Sequence, residues 1–188
     1  MKTLLKKAER LALSEVRKYK FLPEELFRIS IYHSKLLAIK HKANQDICLL
    51  GSMLSDLKLG EAIEKGKIKD HIEMSKIATK KFMEKENADQ NLIDSVLYCI
   101  ETHHGTAKYN SIEAEIVANA DCYRFLLPRG VFGLIESVIL ENRMTLGQMI
   151  DYIEEKTDEK WNIISLPDVK KELEPNYILI KKFLELSK

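Results

Sequence analysis

Six side chains in this sequence combine reactive chemistry with a position that should face inward: His33, Asp56, His71, His103, His104 and Asp121. His33 lies four residues after Ile29 and three and four before Leu36 and Leu37, so on a helix it shares their apolar face. Asp56 closes the stretch LLGSMLSD, three residues after Met53, seven after Leu49 and three before Leu59. Asp121 follows Val117 by four residues and Ala118 by three, and precedes Phe125 by four. An isolated buried carboxylate is costly, and it normally pairs with a cation, ligates a metal or takes up a proton. One imidazole and two carboxylates delivered to the same interior by three helices can share a divalent cation, which accepts both nitrogen and oxygen donors. His71 falls on the face of Met74, Ser75 and Ala78, and the doublet His103 and His104 closes a further apolar helix. Both add imidazoles able to move a proton near neutral pH. Taken singly, each of these residues reads as a satisfied core hydrogen-bonder; four of the five histidines with two inward carboxylates on five successive helices form a different pattern. His41, among the lysines of AIKHKAN, reads as surface.

The elements that must position these groups are helices. Seven Gly and four Pro punctuate the chain, and apolar residues recur at three and four residue spacing rather than in alternation. The pattern predicts helices over residues 2–19, from Pro23 to about 42, and over 44–57 with a stop near Gly60. EAIEKGKIKD reads as a loop or short turn before a helix from Asp70, a plausible N-cap, to about Lys85. Helices are expected over 89–104, ending at the C′ glycine Gly105, and from Ser111 to about Leu127. Two more are expected near 131–142 and 145–160, and a last one from 167 with a kink at Pro175. No repeat or linker divides the chain, which reads as one all-α domain over 1–188. Its motif-bearing core spans about 22–145, and the helices of 145–188 pack on it.

Composition agrees with a globular chain: 188 residues, 45% of them hydrophobic, are enough for one sizeable core. With 30 Lys and Arg against 29 Asp and Glu, no net field draws the chain to a nucleic-acid polymer or an anionic membrane. Cys48, Cys99 and Cys122 are odd in number, widely spaced and set in apolar patterns, which reads as reduced core thiols. Charges interrupt every apolar run of the basic N-terminus, and no run reaches the roughly 18 apolar residues of a membrane span, so a cytoplasmic location is expected.

In order and local context these residues resemble the HD-domain phosphohydrolase superfamily: His33, then LLGSMLSDL, then HIEMSKIA from His71, then IETHHG, then SIEAEIVANAD ending at Asp121. The resemblance implies a helical bundle in which His33, Asp56 and Asp121 bind a divalent metal ion (Mn, Ni, Co, Fe, Mg or Zn). It also implies hydrolysis of a nucleotide or other small phosphorylated molecule. Asp56, His71, His103 and His104 then carry the chemistry, the histidines by completing a second metal site or meeting the phosphate. Ser55 stands where the family has the His of its doublet, so this chain reads SD rather than HD. A hydroxyl is a weaker ligand than imidazole, and a water held by Ser55 or a nearby histidine could fill its place. Asn119 and Arg124 stand where members often carry further acids. Lys58, Lys108, Arg124 and Arg129 are near enough in sequence to clamp phosphate. Two alternatives stay open: a domain that binds metal or nucleotide without turnover, and a purely helical interaction module.

Overall fold

Four helices begin where a side-chain oxygen takes up an amide that the first turn leaves unpaired. Asn44 accepts from the amides of Asp46 and Ile47, Asp89 from Asn91 and Leu92, and Ser111 from Ala114. Thr145 and Gln148 form a reciprocal capping box. The computed structural model describes residues 1–140 and 144–188, and the side chains of residues 1–137 and 144–188. Ten α-helices are formed among the described residues: α1 Lys2–Tyr19, α2 Glu24–Lys40, α3 Gln45–Leu54, α4 Leu59–Glu64, α5 His71–Lys85, α6 Gln90–Thr102, α7 Ile112–Leu126, α8 Pro128–Leu140, α9 Leu146–Ile163 and α10 Pro167–Glu185. A single 3₁₀ turn, Ile68–Asp70, precedes α5, and no strand occurs among the described residues.

Helix α7 is the centre. Every residue from Ile116 to Leu126 is buried, and the helix packs against α2, α3, α6, α8, α9 and α10. A helix covered on all sides has no solvated face for its charges, so Asp121 and Arg124 must be compensated inside the protein. One apolar cluster joins α2 to α7 and α10 through Leu26, Ile29, Leu37, Tyr123, Leu126, Val169 and Leu173. A second joins α1, α3, α5 and α6 through Ala8, Ala12, Leu50, Leu54, Met83, Ile93 and Ile100. Gly51 lets α3 approach both α6 and α7: a Cβ there would stand 2.8 Å from Cys99 Cβ and 2.9 Å from Val117 Cγ2. On the far side, Trp161 of α9 stacks on Tyr177 of α10 with ring centroids 4.5 Å apart. The three cysteines are free and buried. No described helix is long and apolar enough to cross a membrane.

Several boundaries differ from expectation. Helix α3 ends at Leu54 rather than 57, so Ser55 and Asp56 lie on the turn that follows it. The segment read as a loop holds α4, whose Ala62 is fully buried against the core. Asp70 makes no side-chain cap and belongs to the 3₁₀ turn. Helix α8 begins at Pro128, and its expected end at 142 lies outside the described residues. Helix α10 runs on through Pro175 to Glu185. Gly105 ends the α6 segment with φ +94°, as a C′ glycine should.

Candidate functional site

The turn after α3 delivers Asp56 to the bundle interior. That turn is tied to α5 by the Lys58 amide, which donates to Ser75 Oγ at 3.0 Å. The same helix α5 begins at His71, and His103 and His104 follow directly on the end of α6, so three element ends meet at one point. One donor atom from each of Asp56, His71, His103 and His104 lies within 4.8 Å of the others. The rings of His103 and His104 are 4.1 Å apart, and that of His71 lies 6.1 and 5.3 Å from them.

The imidazoles are oriented by the backbone. His71 Nδ1 is 2.7 Å from the Ile68 carbonyl oxygen and His103 Nδ1 is 2.6 Å from that of Ile100. A carbonyl only accepts, so both Nδ1 atoms carry the hydrogen and both Nε2 atoms of the neutral rings present a lone pair. Those Nε2 atoms are buried without a hydrogen-bond partner, 3.9 and 3.5 Å from Asp56 Oδ1. Two lone pairs turned on a carboxylate oxygen repel unless a cation or a shared proton lies between them. Ligands about 2.1 Å from one tetrahedral ion stand roughly 3.4 Å apart, close to these separations. A histidine whose Nδ1–H is fixed by a carbonyl while Nε2 is free has the arrangement usual for a metal ligand. The donor set of three imidazoles and one carboxylate therefore fits a divalent cation.

The second oxygen of Asp56 has a different partner. Arg124 Nη2 donates to Asp56 Oδ2 at 2.7 Å and also to Asp121 Oδ1. Lys160 Nζ, from α9, lies 2.8 Å from Asp121 Oδ2, an ion pair rather than an aligned hydrogen bond. Asp121, Arg124 and Lys160 are 3%, 5% and 1% exposed. Burial is the largest single effect and raises both carboxyls, but the facing groups together outweigh it, Arg124 first, with Lys160 at Asp121 and the neighbouring histidines, when protonated, at Asp56, and both are held well below the usual carboxylate range. Burial likewise works against the charges of Arg124 and Lys160, and the facing carboxylates reverse that, raising both. Loss of solvation lowers His104, against the pull of Glu159, whose own carboxyl His104 and Lys156 bring down to about 2 despite partial burial.

A cavity of about 460 Å³ opens onto this constellation. Asp56, His71, His104, Arg124, Lys156 and Lys160 form its polar end, while Phe21, Leu22, Leu59, Ile63, Ile68, Phe125 and Leu134 supply apolar walls. On the other side of Asp56 and Arg124 a recess of about 30 Å³, bordered by Ser30 and Ser52, has room for about one water.

Asp56, His71, His103 and His104 are thus brought together, and Asp121 joins them through Arg124. His33 is not brought in. Its ring stacks on Tyr123 with centroids 3.7 Å apart, and burial there lowers its pKa. Tyr123 is two residues beyond Asp121, about 200° around α7, so a side chain seated on it faces away from the carboxylate. The α2 residues that share a recess with Asp56 and Arg124 are Phe27 and Ser30. Ser55 does not stand in for an imidazole either: its hydroxyl turns back to the Ser52 carbonyl at 3.4 Å. Lys58 is engaged by Glu15 and Glu61, both at 2.9 Å, Arg129 pairs with Glu25 at 2.6 Å, and Lys108 is exposed. Asn119 is a clamp: its amide donates to Glu115 O and Ser165 Oγ and accepts from the amides of Ser165 and Leu166. His41 is half-buried and donates to Asp168 at 3.0 Å rather than lying free at the surface. Lys160 was not singled out by the sequence, although it falls seven residues after Ile153 and four before Ile164, a charge inside an apolar stripe.

No protein-family model and no curated protein matches the chain. Its fold is similar to two solved structures. One is a Lactobacillus plantarum protein from a structural genomics programme, at 14% identity and TM-score 0.76 over 99% of this chain and 95% of that one. The other is a predicted HD superfamily hydrolase from an uncultured Thermotogales bacterium, at 14% identity and TM-score 0.62 over 98% of this chain and 89% of that one. At such identity the likeness is one of fold alone: the chain shares its all-α bundle with both structures.

Proposed function

We propose that the protein is a metal-dependent hydrolase of small phosphorylated molecules. The observation that carries this reading is the pair of buried, partnerless Nε2 atoms of His71 and His103 turned on Asp56 beside His104. Asp56, His71, His103 and His104 would hold the ion, and three imidazoles favour zinc, iron, cobalt or nickel over magnesium, which prefers an all-oxygen shell. When bound, a cation there supplies Lewis-acid polarisation of a phosphoryl oxygen and a water of lowered pKa. The chain's own groups supply the rest. Lys156, whose ammonium also meets Glu159, puts positive charge at the cavity and attracts the phosphoryl group. Glu159, 3.7 Å from His104 Nδ1, orients that ring. The apolar walls exclude water and take an organic substituent of the phosphate.

Metal content of the purified protein, measured with phosphate release from nucleotides and phosphomonoesters under added zinc, manganese, cobalt or nickel, tests the proposal. We expect retained metal and metal-dependent release, both reduced at least about 100-fold by His103→Ala, since even outer partners of a metal ligand are worth 10- to 100-fold. Failure to retain metal in the parent overturns the reading. A second reading, metal or nucleotide binding without turnover, is favoured by the neutralisation of Asp56 and Asp121 by Arg124 and Lys160. Retained metal with no phosphate release supports it.

A further inference from the structure

Asp56 divides its two oxygens between two kinds of cation site. Oδ1 faces His71 and His103, whereas Oδ2 takes Arg124 at 2.7 Å. Behind Arg124 stands Asp121, whose oxygens are shared between Arg124 and Lys160. Two carboxylates and two monocations make a closed quartet with no net charge, and all but Asp56 are at least nine-tenths buried. The charge that Arg124 and Lys160 bring is that of one divalent ion: a single guanidinium nitrogen of Arg124 spans the two carboxylates, and Lys160 meets the other oxygen of Asp121. A guanidinium does not deprotonate in a protein, so this position is not vacated by a change of pH. A metal ion seated between the carboxylates would also have to share Asp56 Oδ2 and Asp121 Oδ1 with a charge of its own sign, in surroundings that screen it little.

We propose that Arg124 and Lys160 act as a covalently attached dication for Asp56 and Asp121, Arg124 seated between them and Lys160 behind Asp121, so that the chain takes one divalent ion, on the histidine side of Asp56, and none between the carboxylates. The single ion rests on the function proposed above; the exclusion of a second rests on the quartet alone. Arg124 and Lys160 are thereby positioning residues: they hold the Asp56 carboxylate so that Oδ1 stays turned to the imidazoles.

Removing the two cations should convert the position into a metal site. Manganese and zinc binding to the full chain, counted by native mass spectrometry and isothermal titration, should give one equivalent for the parent and two for Arg124→Ser/Lys160→Met. Adding Asp121→Asn to that variant should return the count to one, and Arg124→Lys should leave it at one. The metal-free double variant holds uncompensated buried carboxylates and should melt well below the parent, so its melting temperature is read with and without metal; recovery on adding metal is expected. Two equivalents on the parent, an unchanged count in the double variant, or a double variant that metal does not restore, would each overturn the proposal. If the parent binds no ion while the double variant binds one that Asp121→Asn abolishes, the quartet stands and the hydrolase reading falls.

Discussion

Asp121 faces two buried cations, Arg124, which also reaches Asp56, and Lys160, whose next carboxylate, Glu159, is 3.7 Å away. Asp121→Asn should therefore cost about 3–5 kcal/mol, the usual penalty for breaking a buried pair from one side, read as a lowered urea midpoint at unchanged slope. The thiols make a pH-dependent case. Burial raises Cys48 and Cys122 from the ordinary 9.0 to about 12, which favours the protonated form in the folded chain. That contribution to stability is complete below about pH 9 and is lost as pH rises toward 12. At pH 8 a thiol reagent should titrate none of the three cysteines in the native protein and all three in denaturant; rapid native labelling would contradict their burial. Residues legible in the sequence were those whose helical phase and chemistry agreed. Asp56, His71, His103 and His104 stood on apolar faces and do converge. His33 satisfied the same criterion and does not join them, because phase fixes a face but not the neighbour on it, and its neighbour is Tyr123.

The element that matters most to the site is α3, since its end sets where Asp56 emerges. Gly51 brings it against α6 and α7, the helices that carry the histidine doublet and Asp121. Gly51→Ala must push apart Cys99 Cβ and Val117 Cγ2, neither of which is the end of a flexible chain, and should cost about 1–3 kcal/mol. Because the displaced helix carries Asp56, metal retention should weaken as well, which distinguishes this change from an overpacked core elsewhere. Asn119→Ala should cost about 1–3 kcal/mol by stranding the amides of Ser165 and Leu166, with thermal unfolding as the measure. Four of the expected helices were to start at residues 44, 89, 111 and 145, and the Asn44, Asp89, Ser111 and Thr145 side chains there do cap. The sequence concealed α4, because Gly60 and a run of charges look like a loop. Gly60 is instead required by Tyr19, whose Cβ would lie 2.5 Å from an added side chain.

Across the whole molecule, the site is assembled from helices far apart in the chain: the turn after α3, the ends of α5 and α6, the middle of α7, and α9. An ion bound at 100 times its dissociation constant should add about 2.7 kcal/mol to global stability, seen as a metal-dependent rise in melting temperature that His103→Ala removes. The all-α class and the helical order followed from period and composition. The role of the C-terminal helices did not, since Lys160 acts on a carboxylate 39 residues earlier and no local pattern encodes that pairing. One neighbour of Lys160 gives the molecule an optical gauge of this assembly. The sequence contains one tryptophan, Trp161, and its indole is stacked on Tyr177 with the Lys170 ammonium 3.7 Å above the ring. Emission from the intact chain therefore arises from one known place, a single residue from the lysine that reaches Asp121. Unseating α9 should shift that emission to the red as the indole meets water, so fluorescence can time the departure of Lys160 without any added label.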